Sequence, residues 1–197
     1  MFTAWGYEVD ADSIPPLLST ADFDSMTGGR YAGDLHAASA LSAASQAIRN
    51  FCGWHVSPSL ECHARLTANG KLCRIPAGYV SDVATVAEDG SELSEGQYEW
   101  RRDGIMRRAC FRNWAGGWDA VVVDYTAGYD AGAVPDLAEA VRAIAEGVLA
   151  VSAGVTSESA DGVSISYSAN ASSIAAALTE QQRVALMPYR LVSAHAA

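Results

Sequence analysis

The hydrophobic pattern of this chain changes period between Val121 and Ala150, and that change organises the rest. Val121, Val122, Val123 and Tyr125 are β-branched or aromatic and predict a strand. Gly128 and Gly132 interrupt the pattern, and Pro135 restarts it. Proline suits the first turn of a helix because it lacks only an N–H that has no intrahelical partner there. Leu137, Val141, Ile144 and Val148 follow at steps of four, three and four, which places them on one helical face. Asp136 and Glu139 fall in the first turn, where the helix dipole favours negative charge.

A second helical pattern precedes the sheet region. Asp34 is a good N-cap for DLHAASALSAASQAIRNFCG, with Leu35, Ala38, Leu41, Ile48 and Phe51 as its apolar stripe. Alanines cover much of the remaining surface, so the helix is poor in charge and expects cover on more than one side. Gly53 is a plausible stop. Before it, residues 1–33 read as an arm with a short helix, capped by Thr20 and stopped at Gly28-Gly29. Such an arm is stable only when docked.

Between the helices, residues 55–130 predict antiparallel β structure. Asn69-Gly70, Asp89-Gly90 and Asp103-Gly104 each separate two strand-like runs and accept the positive φ of tight hairpin turns. Three such signals predict a meander or small sandwich, ending in the strand that reaches Tyr125, with Trp100, Phe111, Trp114 and Trp118 supplying much of its core. After the second helix, residues 154–178 are small and polar and read as an extended arm. Val163, Ile165 and Tyr167 alternate there, as in a strand that must join an existing sheet edge. Thr179 and Gln182 match a capping box for a last short helix that Pro188 ends, followed by Tyr189-Arg190-Leu191. The expected fold class is α+β: a small helical bundle (34–54, 134–153 and 179–191), a β domain inserted between its two long helices, and extended N- and C-terminal arms.

Charge adds an asymmetry. The chain has 197 residues and a net charge of −10. Six carboxylates and one arginine lie between Met1 and Asp34, and the same numbers lie between Asp119 and Glu146. Basic residues concentrate in the insert, where Arg101, Arg102, Arg107, Arg108 and Arg112 crowd one hairpin. With a single lysine and an acidic balance, tight binding of free nucleic acid is disfavoured, since phosphate affinity rests on basic groups. No apolar run is long enough for a membrane span, and the start, MFTAWGYEVDAD, has no signal-peptide pattern, so nothing routes the chain to export. Buried thiols are then the default for Cys52, Cys62, Cys73 and Cys110. A metal set could be drawn from Cys52, His55, Cys62, His63 and Cys73, but it lacks the paired CxxC units of a zinc site. No GxSxG, Walker loop or GxGxxG is present, so no catalytic residue and no cofactor is expected.

The order ALSAASQAIRNFCGWHV, a β insert with YEW and a DG hairpin, VDYTAGYDAGAVPDLAEAVRAIAEGVLA, SESADGVSISY and LTEQQRVALMPYRL resembles the head–tail connector (adaptor, or head-completion) proteins of long-tailed double-stranded DNA bacteriophages. The resemblance covers nearly the whole chain, though the insert is longer and richer in β than in the mostly helical simplest members. It implies a ring, usually of twelve subunits, seated under the capsid portal in the virion neck after assembly in the host cytoplasm. Its partners would be other copies of itself, the portal protein, and stopper or tail proteins. Double-stranded DNA would pass through the channel without specific binding. On that reading Asp130, Asp136, Glu139 and Glu146 line the lumen, where like charge lets phosphates slide. Arg101, Arg102, Arg107, Arg108, Val163, Ile165, Tyr167, Tyr189 and Arg190 contact neighbouring proteins. Two alternatives stand beside it: a carbohydrate- or ligand-binding β module stacking its ligand on Trp114 and Trp118, and another neck component such as a stopper or tail terminator.

Overall fold

The computed structural model describes residues 1–152, 157–160, 163–166 and 178–191. The chain is a mixed α+β fold whose backbone divides into two compact units. One comprises residues 1–14, 52–131 and 189–191, and the other residues 15–51, 132–152, 157–160, 163–166 and 178–188. No helix among the described residues is long and apolar enough to cross a membrane.

The first unit is built on a five-stranded antiparallel sheet. Its strands are β1 (Glu8–Val9), β2 (Leu60–Leu66), β4 (Val80–Glu88), β5 (Ser91–Glu92) and β8 (Val121–Ala127), in the order β1-β2-β8-β4-β5. The strand predicted from Val121 to Tyr125 is therefore last in the insert but central in the sheet. Its alternation of buried and half-buried residues fits that place, with Val121, Val123, Tyr125 and Ala127 buried. The N-terminal segment docks at the far edge: Glu8 pairs with His63 and Val9 with Cys62. A second sheet holds β3 (Leu72–Arg74), β7 (Ile105–Arg108) and β6 (Tyr98–Trp100), in the order β3-β7-β6.

Two of the three predicted hairpins form. Asp89-Gly90 joins β4 to β5, and Asp103-Gly104 joins β6 to β7. Asn69-Gly70 makes a turn closed on itself, with Asn69 and Leu72 exchanging backbone hydrogen bonds of 3.0 and 3.3 Å. The strands on either side of that turn belong to different sheets, so the arrangement is not the meander the turn spacing suggested. The predicted aromatic core is also corrected. Trp114 is buried and Trp100 half-buried, but Phe111 is 68% and Trp118 92% exposed. Cys110, Phe111 and Asp119, all exposed, have φ near +55°.

The second unit is helical. Ser19, one residue before the expected Thr20, caps α1 (Thr20–Met26) by accepting from the Asp22 N–H. The long helix α2 (Ala37–Cys52) starts two residues later than the pattern suggested, and Asp34 accepts from the His36 N–H in the turn that leads into it. Leu35 is consequently exposed, as is Ala38, and the buried face is Ala37, Ala40, Leu41, Ala44, Ser45 and Ile48. Ser45 and Arg49 hold the 15–17 segment: the Leu17 N–H donates to the Ser45 hydroxyl at 2.9 Å, and Arg49 donates to the Pro15 carbonyl at 2.7 Å. Helix α3 (Pro135–Ser152) begins at the predicted proline and buries Leu137, Val141, Ile144 and Leu149. The last helix, α4 (Glu180–Leu186), carries the predicted Thr179–Gln182 capping box with both reciprocal hydrogen bonds.

Candidate functional site

Three short motifs that are far apart in sequence meet in the first unit: Cys52-Gly53-Trp54, Ala127-Gly128-Tyr129 and Tyr189-Arg190-Leu191. The Trp54 indole N–H donates to the Tyr189 carbonyl at 2.7 Å, and the Leu191 N–H donates to the Cys52 carbonyl at 2.8 Å. The Tyr129 ring lies 6.1 Å from Trp54, stacks on Tyr79 at 4.6 Å and meets Tyr189 edge-on at 5.6 Å. Arg102 lies over the open face of Tyr79 and donates to its hydroxyl at 3.0 Å. Offset and edge-on aromatic pairs of this kind add to the stabilisation from buried area. Residues 189–191 are thus pinned by the motif residues themselves, which leaves Arg190 exposed and Tyr189 half-buried beside it.

Beneath this cluster sits a fully buried histidine. His55 places one ring nitrogen 3.0 Å from the Ala127 carbonyl and the other 2.7 Å from the Tyr7 hydroxyl. A carbonyl can only accept, so Nε2 carries a proton toward Ala127. The Tyr7 hydroxyl also accepts from the His55 backbone N–H at 3.1 Å. The same hydroxyl can therefore donate to Nδ1, and the neutral imidazole is satisfied. Gly128 has to be glycine here: its φ is +110°, and a Cβ would come within 2.2 Å of the Pro58 carbonyl oxygen and 2.8 Å of His55 Nε2.

His55 is thereby held in place structurally and does not join a metal set. Among the described residues no group of three or more His, Cys, Asp and Glu is arranged to hold an ion. Burial pushes the thiols of Cys52, Cys62 and Cys73 up to about 12, so they stay neutral, while Cys110 is exposed. One polar row crosses the five-stranded sheet. Thr85 on β4 donates to Asp124 on β8, and His63 on β2 lies 2.6 Å from the other oxygen of that carboxylate. Burial raises the Asp124 pKa, but the hydrogen bonds from Thr85 and His63 and the charge on His63 outweigh it, and the net shift is downward. The hydroxyl touches the carboxylate and not the imidazole, so this row lacks the base-to-nucleophile contact of a catalytic triad.

The predicted arginines divide into distinct roles. Arg108 is buried, ion-paired with Glu88 at 3.2 Å, hydrogen-bonded to the Gln97 carbonyl at 2.9 Å and stacked over Trp114. Trp114 is buried beneath it, so Trp114 and Trp118 do not form a pair of open stacking posts. Arg107 pairs with Glu99 at 2.6 Å and lies over Phe111, and Arg101 pairs with Asp103 at 3.0 Å. All of these except the Arg108 guanidinium are at the surface.

The predicted acidic set is split between the units. Asp130 is exposed in the first unit, while Asp136, Glu139 and Glu146 belong to α3 in the second. Glu139 and Glu146 both bind Arg142, three residues after one and four before the other. The hydrogen bond from Arg142 is the main cause that lowers the Glu139 pKa. Val163 and Ile165 lie on β10 (Val163–Ser166), which pairs antiparallel with β9 (Ser157–Ala160) in a two-stranded hairpin. The predicted strand therefore finds its partner in the segment just upstream within the same chain. Tyr167 lies outside the described residues.

This fold has solved counterparts. Over 97% of its length, and 98% of the other chain, it superposes with a TM-score of 0.60 and 18% identity on a chain in the neck of a native GTA particle with C12 symmetry. It shares that chain's fold. A chain in the virion of a native gene transfer agent (GTA) particle matches with a TM-score of 0.59 at 20% identity, and one in the neck of an empty GTA particle with C6 symmetry with a TM-score of 0.54 at 20% identity. Each covers 97% of this chain and 98% of the counterpart. No protein-family profile matches the sequence, and no curated protein matches it.

Sequence reasoning found the arginine hairpin and the motif residues but missed the Tyr7–His55 contact and the Thr85–Asp124–His63 row. Both join residues more than 35 positions apart, and only the tertiary fold brings them together. The signal that was available is the density of aromatic residues around CGWH and AGY.

Proposed function

We propose that this chain is a structural protein of a virion neck, one subunit of a ring that joins the capsid portal to the tail and prolongs the DNA channel. The observation that carries this reading is a fold shared from end to end with a neck chain, 97% of one and 98% of the other, and not one common domain. The C12 symmetry of that neck supports a ring of twelve. The motif residues support it too: they anchor the 189–191 segment and leave Arg190 at the surface, in reach of a neighbour.

In this reading the role is non-enzymatic. Its partners are further copies of the chain, the portal protein, and stopper or tail proteins, and it is located in the virion neck after assembly in the host cytoplasm. Asp136, Glu139 and Glu146 on α3, with Asp130, are the lumen-facing carboxylates, which let double-stranded DNA slide without being held. The β9–β10 hairpin is a candidate for the neighbour contact, because each strand of a two-stranded sheet keeps one edge to offer.

The test is to inactivate the gene in the particle that carries it. The expected result is DNA-containing capsids and free tails that do not join, with joining restored when the purified chain is added. Tailed, infectious particles assembled without the chain overturn the proposal.

A further inference from the structure

The three-stranded sheet has two unlike edges. Leu72, Arg107 and Glu99 form a row across β3, β7 and β6, and all three are exposed. Apolar and basic groups collect at the β3 end of that row. Leu72 is 54% exposed, the chain's single lysine, Lys71, precedes it, and Phe111 lies 5.2 Å beneath the Arg107 guanidinium. Arg112 follows Phe111, and neither it nor Lys71 has an ion-pair partner among the described residues. Trp118 belongs to a loop tied at both ends to the turn just before β3. The Trp114 N–H donates to the Gly70 carbonyl at 2.8 Å, and the Asp119 N–H donates to the Thr67 hydroxyl at 3.1 Å. Monomeric proteins rarely leave several large apolar side chains exposed on adjoining segments.

The surface around Tyr98 of β6 is acidic. Asp82, Glu92 and Glu95 are exposed around Tyr98, the first residue of β6, and none has an ion-pair partner among the described residues. Partial burial and then the charges of Glu95, Asp82 and Glu92 hold the Tyr98 phenol above its ordinary value, so each of the three lies near that ring. One unit therefore carries a basic, aromatic patch at the β3 edge of the three-stranded sheet and an acidic patch around Tyr98, formed by Asp82 of β4, Glu92 of β5 and Glu95 in the loop before β6.

A cyclic ring is built from heterologous contacts, in which each copy presents two different surfaces that complement each other. We propose that the β3 edge of one copy, through Lys71, Leu72, Phe111 and Arg112, docks on the acidic patch around Tyr98 of the next copy, through Asp82, Glu92 and Glu95. This contact presupposes the ring proposed above. Duplex DNA fits the β3 edge less well than a protein does. Glu99 already neutralises Arg107, and Leu72 and Phe111 need apolar cover that phosphates do not give.

The test is a pair of charge reversals in the full chain, K71E/R112E and E92K/E95K, and the two combined, with melting curves to confirm folding. Self-association is read by sedimentation velocity at low and moderate salt and ring formation by electron microscopy, both with and without the particle's portal protein. Each double reversal alone is expected to weaken self-association by about tenfold or more, and the combined variant to recover it, because every contact then pairs reversed with reversed. F111A gives an independent reading through loss of apolar cover and is expected to weaken assembly without changing its salt dependence. Rings that form normally with either double reversal overturn this contact and leave the ring itself standing. A wild-type chain that forms no ring in either condition overturns the ring and the contact together. Retention of duplex DNA that K71E/R112E weakens without altering self-association assigns the edge to nucleic acid and overturns the contact.

Discussion

At the scale of single residues, the account rests on close approach around His55. Gly128→Ala forces a Cβ against the Pro58 carbonyl at 2.2 Å in a backbone conformation that disfavours side chains. The expected loss is about 2–4 kcal/mol of unfolding free energy, measured by urea denaturation, and a variant as stable as the parent contradicts the packing described. Asp124 gives a pH signature. Its folded pKa is depressed below the ordinary 3.8, so its contribution is complete above that value and is lost as the pH falls through the lower, folded one. Asp124→Asn is therefore expected to flatten the acid limb of the stability profile below about pH 4, with the neutral-pH fold retained. A parallel acid limb in parent and variant shows that the Thr85–Asp124–His63 row does not set it.

At the scale of elements, local chemistry predicts local outcome. Thr179→Ala removes one half of the capping box on α4 and is expected to cost about 1 kcal/mol of helix stability, seen as a lower melting midpoint. The elements that were legible in the sequence share this local character: Pro135 at the start of α3, the capping box, and the Asp89-Gly90 and Asp103-Gly104 hairpins each depend on residues within a few positions. The elements that were misread depend on distant partners. Asn69-Gly70 has hairpin chemistry, yet Leu66 pairs with Val121 and Leu72 with Arg107, and nothing near the turn encodes either choice. Leu35 has helical spacing but sits in the turn before α2, and Phe111 has a core residue's chemistry but lies at the surface beneath Arg107. Of the candidate site, the arginine cluster was legible as composition. Its division into the buried Arg108 and the surface Arg101, Arg102, Arg107 and Arg112 was not, because burial of Arg108 is set by Glu88 on another strand.

At the scale of the whole molecule, exposed apolar side chains stand out. The first unit exposes Phe2, Leu72, Phe111 and Trp118. The fold is shared across its full length with a neck chain despite 18% identity. The most direct test of the central claim is a cryo-electron microscopy reconstruction of the intact neck from the particle that carries this chain. The account predicts a closed ring of copies of this protein around the DNA path, lying between portal and tail. A neck in which the chain is absent, or present as a single copy off the axis, contradicts it.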